Sequence, residues 1–243
     1  MQLWLSPLIA FLLGSIPFGL IISRIKGINI REHGSGNIGA TNVLRVVGKK
    51  YGIICLVLDM LKGLIPTLIA ISLIRYDGIK QSMTIIQLAP YSQNFPMATA
   101  QFFQVLAGLF AILGHNYSPW VGFKGGKGIA TSAGVLIALM PAAVLVLLAV
   151  WLLVFSVSRY VSLASIVAAA ALPLITHLGA RFHHLHNDPS QPTLWEAGTW
   201  NKSLMGFSIL IAVLAIWKHR SNIQRLRSGT EHRFTRKPKP TDV

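Results

Sequence analysis

Residues 142–158 read AAVLVLLAVWLLVFSVS, an unbroken run without one charged side chain. In lipid such a segment has no water to satisfy its backbone amides and carbonyls, and only a helix satisfies them within one segment. Six more stretches are predominantly apolar, at roughly 3–23, 52–74, 99–115, 129–141, 161–178 and 203–218. A hydrocarbon core about 30 Å thick takes about 20 residues of helix, fewer where the bilayer thins. The pattern therefore predicts an all-α, polytopic integral membrane protein with seven transmembrane helices. Only 12% of residues are charged, against about 25% in soluble domains. The opening MQLWLSPLIAFLLGSIPFGLIIS has no basic start and is too long for a cleaved leader, so it reads as a retained first span. The weakest boundary is MPAA at 140–143, where Pro141 either begins a new helix or kinks a long one.

The net charge of +15 is distributed unevenly. Loop 24–51, loop 116–128, the turn at Arg159 and the tail from Lys218 hold 17 of the 22 Lys and Arg residues. With seven spans these four regions fall on one side, which the positive-inside rule makes cytoplasmic, with the N-terminus outside. Fusing 129–158 into one span would put loop 24–51 and the tail on opposite faces and destroy that asymmetry. The basic residues are split among loops rather than gathered on one face, so nucleic acid is not the expected partner; anionic lipid or anionic substrates are. The lone Cys55 lies in an apolar run and reads as packing.

The polar motifs all lie on the basic side. In SGNIGATNVLR (35–45), glycines at 34, 36 and 39 let backbone N–H groups converge as in an anion-binding nest. Ser35, Asn37, Thr41 and Asn42 add short donors, and Arg45 can grip a phosphate with two hydrogen bonds; plain turn chemistry is the competing reading. GHNYSPWVGFKGGKGIAT (114–131) fails the nucleotide-binding P-loop pattern, because Val121 replaces its first Gly and Gly128 follows Lys127. Lys127 still sits among glycines at the mouth of a following helix, where an anion is favoured.

In SRYVSLASI (158–166), Ser162 and Ser165 share a helix face near a span's cytoplasmic end. In WKHRSNIQRLRSGTE (217–231), His219 and Asn222 share a face and Gly229 marks a helix stop. Asp59 and Lys62 interrupt the second span at i, i+3, either as a structural pair or facing substrate. The histidine cluster HHLHND (183–188) places His183 and Asp188 at the HxxxxD spacing of thioester-dependent glycerolipid acyltransferases, but on the predicted outer side, away from every other motif. Its histidines have no fixed metal-ligand spacing.

Together GSGNIGATN…R, GHNYSPW…FKGGKGIAT, RYVSLAS and HRSNIQRLRSGTE, in this order, resemble the bacterial acyl-phosphate:glycerol-3-phosphate acyltransferases (PlsY family) over nearly the whole chain. The resemblance implies a seven-span inner-membrane enzyme with a cytoplasmic active site. It would move a fatty acyl group from acyl phosphate to the 1-hydroxyl of sn-glycerol-3-phosphate, giving lysophosphatidic acid and phosphate. It further implies no metal or other cofactor, no thioester donor and no HxxxxD dyad. Gly34, Ser35, Gly36, Asn37, Gly39, Thr41 and Asn42 would cradle the acyl phosphate. Arg45, Lys127, Ser165, His219 and Asn222 would hold glycerol-3-phosphate, and these five with Ser35 would surround the reacting centre. His219 is the only motif side chain suited to act as a base, whereas the family picture gives the proton to the donor phosphate. The expected organisation is one acyltransferase domain over 1–232 and a basic, disordered cytoplasmic tail over 233–243. No protein partner is called for, and a monomer is expected. The departures are loops 75–98 and 179–202 and the basic tail.

Two rival classes fit less well. A phosphate-ester transporter would be expected to show paired halves with broken helices near mid-depth, and none is visible. A CDP-alcohol phosphotransferase would need several aspartates for its metals, and the chain has Asp59, Asp77, Asp188 and Asp242 alone.

Overall fold

The computed structural model describes residues 2–76, 93–187 and 202–234. Ten α-helices occur among them, besides a 3₁₀ turn at Pro119–Val121: α1 (Gln2–Gly14), α2 (Phe18–Ile25), α3 (Ala40–Val46), α4 (Lys49–Leu73), α5 (Met97–Asn116), α6 (Ile129–Leu139), α7 (Pro141–Ser158), α8 (Val161–Asn187), α9 (Lys202–Lys218) and α10 (Arg220–Arg227). A short parallel pair, β1 (Ile74–Tyr76) with β2 (Gln93–Phe95), joins the ends of the loop between α4 and α5. Gln104 Nε2 donates to the Ile74 carbonyl at 2.6 Å and fixes this pair to α5.

Five segments are long and apolar enough to cross a bilayer: Leu3–Ile25, Lys49–Leu73, Met97–Val121, Pro141–Ser158 and Val161–Arg181. A sixth is counted if α9 and α10, bent by 54°, are taken together. The sequence RSNIQRLR of α10 is too polar for hydrocarbon, so the apolar segment ends at Lys218. The predicted fourth span, 129–141, is an 11-residue helix, about 16 Å long and half the hydrocarbon thickness. Its break from α7 falls where the sequence places it, since Pro141 opens α7 as its first residue.

The first span differs from its expectation. Instead of one helix over 3–23, α1 stops at Gly14 and α2 starts at Phe18, because Pro17 has no N–H to continue the ladder. Lys62 Nζ reaches across from α4 and donates to the Ile16 carbonyl in this break at 2.8 Å. Likewise α8 continues past the expected end at 178 as far as Asn187. Asp188 of the HxxxxD decoy lies outside the described residues.

Small residues bring the helices together. A Cβ on Gly14 would sit 2.2 Å from the Ala111 carbonyl oxygen of α5, and one on Gly134 of α6 would sit 2.0 Å from the Met60 carbonyl oxygen of α4. Backbones in such close contact gain dispersion energy that lipid-facing leucines would not supply. The core follows from these crossings, with Ala10, Ala70, Ala107, Ala111 and Val135 fully buried. By contrast α7 buries no residue. Its Leu145, Leu153 and Val157 are two-thirds or more exposed, an apolar surface suited to lipid. Arg159, in the left-handed region at φ 63°, reverses the chain between α7 and α8.

Candidate active site

Two polar loops and two helix ends close around one cavity of about 470 Å³. The first wall is the loop before α3, wrapped around the Asn42 side chain. Asn42 Nδ2 donates to the carbonyls of Ile30, His33 and Asn37, and Oδ1 accepts the Ser35 N–H at 2.9 Å. Gly34, at φ 63°, passes so close that a Cβ would lie 2.3 Å from Asn42 Oδ1. Asn42 therefore spends its amide on the loop, although it too reaches the cavity lining beside Ser35, Asn37, Gly39 and Thr41. Thr41 and Arg45 stand one turn apart on α3, so both side chains reach the same wall. Gly34 and Gly36 are outside the lining and shape the turn instead.

The second wall is the loop 122–128, folded onto the end of α5. Gly125 and Gly126 donate their N–H groups to the carbonyls of Asn116 and His115. At Gly126 a Cβ would fall 2.1 Å from His115 Nε2, which is why this loop is built of glycine. Arg31 Nη2 donates to the Lys124 carbonyl at 2.6 Å and ties the two loops together. Lys127 Nζ donates to Asn222 Oδ1. Burial holds the Lys127 ammonium down to about pKa 8; Glu231 opposes that shift, and Arg225 and Arg45 add to it.

Helix ends complete the ring. Ser165 on α8 donates to the Val161 carbonyl at 2.8 Å and accepts the Trp151 indole N–H at 3.2 Å. His219, just past α9, places Nδ1 2.8 Å from the Ala215 carbonyl oxygen. A carbonyl only accepts, so Nδ1 carries the hydrogen and Nε2 keeps its lone pair. Burial, then the Lys127 charge, pushes His219 down to about pKa 4, so it is neutral at physiological pH. Below this polar rim the cavity continues as an apolar chute, walled by Leu136, Leu147, Leu148, Leu172 and Ile211.

The cavity thus joins a cationic, donor-rich end to a greasy slot. A family model described as glycerol-3-phosphate acyltransferase matches residues 4–229. The chain belongs to the glycerol-3-phosphate acyltransferase family. A glycerol-3-phosphate acyltransferase of Geobacter metallireducens is 46% identical over 226 residues, covering 93% of this chain and 94% of the relative. That of Aquifex aeolicus is 40% identical over 225 residues, covering 93% and 95%. The solved structure of PlsY (YgiH), an integral membrane glycerol 3-phosphate acyltransferase in its glycerol 3-phosphate form, superposes with a TM-score of 0.71. It is 39% identical and covers 97% of this chain and 96% of its own. A second structure, the lysophosphatidic acid form, gives a TM-score of 0.69.

In this acyltransferase each of the four motifs that carry the resemblance contributes to one cavity. Glu231 is the residue that sequence reasoning passes over, since RSGTE reads only as a helix stop. Its carboxylate accepts from Ser162 Oγ, Asn222 Nδ2 and Arg225 Nε, each at 2.7 Å. Partial burial pushes the carboxyl up, but these three donors outweigh it and hold it below the usual range. The available signal was an acid, one of two with Asp242, in a strongly basic tail. The backbone past it also folds back, with the Phe234 N–H on the Arg159 carbonyl at 3.0 Å and its ring against Phe155. The packed chain thus extends through Phe234. Glu231→Ala orphans three donors, and the expected loss is about 2–4 kcal/mol of stability. A lowered melting temperature in detergent, with Lys127 no longer held by Asn222, checks this.

Proposed function

We propose that this acyltransferase moves a fatty acyl group from acyl phosphate to the 1-hydroxyl of sn-glycerol-3-phosphate, releasing lysophosphatidic acid and inorganic phosphate. One observation carries the reading: two separate polar walls, each with its own cation, open on a single cavity with one apolar chute. The Ser35–Thr41 wall suits the acyl-phosphate head, with the acyl chain running down between α6, α7, α8 and α9. Lys127, Asn222, His219 and Ser165 suit glycerol-3-phosphate, and Arg45 lies between the two. Asn42 holds the first wall in shape rather than touching ligand.

Both substrates are anions, and their phosphates would repel strongly in a low-dielectric niche without Arg45 and Lys127. The 1-hydroxyl oxygen attacks the acyl carbonyl and the bond to the phosphate oxygen breaks. The hydroxyl proton passes to the departing phosphate, which leaves as hydrogen phosphate, so no protein base is consumed and no metal is called for. Holding both reactants in place supplies much of the acceleration, because acyl phosphate is already activated. His219, fixed by Ala215, offers Nε2 as an acceptor that orients the glycerol. On this route His219→Gln keeps most of kcat and raises the glycerol-3-phosphate KM by about tenfold. A collapse of kcat at unchanged KM would instead make His219 the base.

The proposed topology is seven crossings with the N-terminus outside and the site on the cytoplasmic face of the inner membrane. It is supported by the positions of α6 and α7. Gly128, where α6 starts, and Val161 and Ser162, just after the α7–α8 turn, line the same cavity. The short α6 thus leaves the site and α7 returns to it. On this proposal the protein acts as a monomer. Purified protein in detergent, given palmitoyl phosphate and labelled glycerol-3-phosphate, tests the activity. Labelled lysophosphatidic acid is expected, and none from folded protein would overturn the proposal.

A further inference from the structure

Deep in the bundle, behind the Lys127 loop, lies a buried polar cluster that takes no part in the bond-making steps. Asp59 and Lys62 of α4 and His115 of α5 are 2%, 6% and 5% exposed. Lys62 Nζ stands 2.7 Å from Asp59 Oδ1 and donates to the Ile16 carbonyl in the α1–α2 break. His115 Nδ1 faces the same carboxylate oxygen across 3.7 Å and has no hydrogen-bond partner among the described residues.

Each arm of the cluster ends on a wall of the site. Beyond Ile16, Gly19 of α2 abuts the Ile38 carbonyl, where a Cβ would lie 1.8 Å from the oxygen, and Ile38 stands between Asn37 and Gly39. On the other side the His115 carbonyl holds the Gly126 N–H and its ring lies directly under Gly126, next to Lys127. Asp59 and His115 also reach the cavity lining. A bare carboxylate there would repel two phosphates, and Lys62 cancels it. Buried pairs of this kind contribute little net stability, and apolar replacements of similar volume are often neutral or better.

We propose that Asp59 is a positioning residue for glycerol-3-phosphate: through Lys62 and His115 it sets the Lys127 loop against the Ser35 loop. This rests on the assignment of Lys127 to the glycerol-3-phosphate half of the site. The pair matters for alignment, and its loss should appear in substrate binding while the fold survives.

The test is the double variant Asp59→Leu/Lys62→Met, purified in detergent and compared with Lys62→Met alone and with Lys127→Ala. The double variant is expected to melt close to the parent. Its KM for glycerol-3-phosphate should rise about tenfold or more, with kcat little changed. Lys62→Met should raise KM further, because it leaves the Asp59 charge facing the substrates; if it does not fold, the double variant still decides. A folded double variant with parental constants, or one losing kcat at parental KM, would overturn the proposal. If Lys127→Ala raises KM and the double variant does not, positioning by Asp59 alone fails. If Lys127→Ala leaves KM unchanged, the assignment of Lys127 fails first.

Discussion

Lys127→Ala is expected to lower kcat/KM for glycerol-3-phosphate by about a thousandfold or more, ~4 kcal/mol of transition-state stabilisation, with the residual turnover still measurable using labelled substrate. Lys127 faces the cavity from a loop whose fold depends on glycine and on the α5 carbonyls, so its removal leaves the framework in place. Expression and melting temperature should stay near the parent's. Acidity gives a second handle on the same residue. A lysine held down to about pKa 8 is charged below that pH and neutral above it. The kcat/KM profile should therefore fall as pH rises through about 8, while a bound phosphate dianion moves the corresponding limb of kcat upward. Lys127→Arg should remove the limb from that range even where it lowers the rate, because guanidinium stays charged. His219, neutral down to about pH 4, should add no acid limb near pH 6–7.

Arg45→Ala is the second large loss, by about 10²–10³ in kcat/KM. Arg45 reaches the cavity from the last turn of a seven-residue helix, with its guanidinium carbon 6.0 Å from the centre of the Phe234 ring. Its place between the two proposed phosphate positions makes it the group that screens one substrate from the other. Arg45→Lys should recover only part of the rate, since an ammonium lacks the planar fork that grips two phosphate oxygens at once. Steady-state kinetics with both substrates varied separate the cases. A rise confined to one KM would place Arg45 on that substrate alone.

Much of this site is legible in the sequence, for a physical reason. Membrane spans force polar, glycine-rich and basic residues out of the hydrocarbon, so functional loops stand out against apolar runs. Ser35, Arg45, Lys127, Ser165, His219 and Asn222 could be read in this way, and all six line the one cavity. Less legible were features set by tertiary contacts. Asn42 looks like another donor of the anion loop, yet its amide turns inward, because the loop's own carbonyls need a partner. Glu231 looks like a helix stop, and its meaning comes from Ser162, 69 residues away in sequence. Pro17 breaks the first span inside a run whose hydropathy shows no interruption. The short α6 reads as a weak span because composition records apolarity, whereas its length is set by the Met140–Pro141 break.

On the proposed route a phosphate leaves as the acyl group moves, and product stoichiometry tests this most directly. Purified protein with glycerol-3-phosphate should turn palmitoyl phosphate into equal amounts of lysophosphatidic acid and inorganic phosphate, and should leave palmitoyl-coenzyme A unused. Product formed from the thioester at a comparable rate, or lysophosphatidic acid formed without matching phosphate, would contradict it.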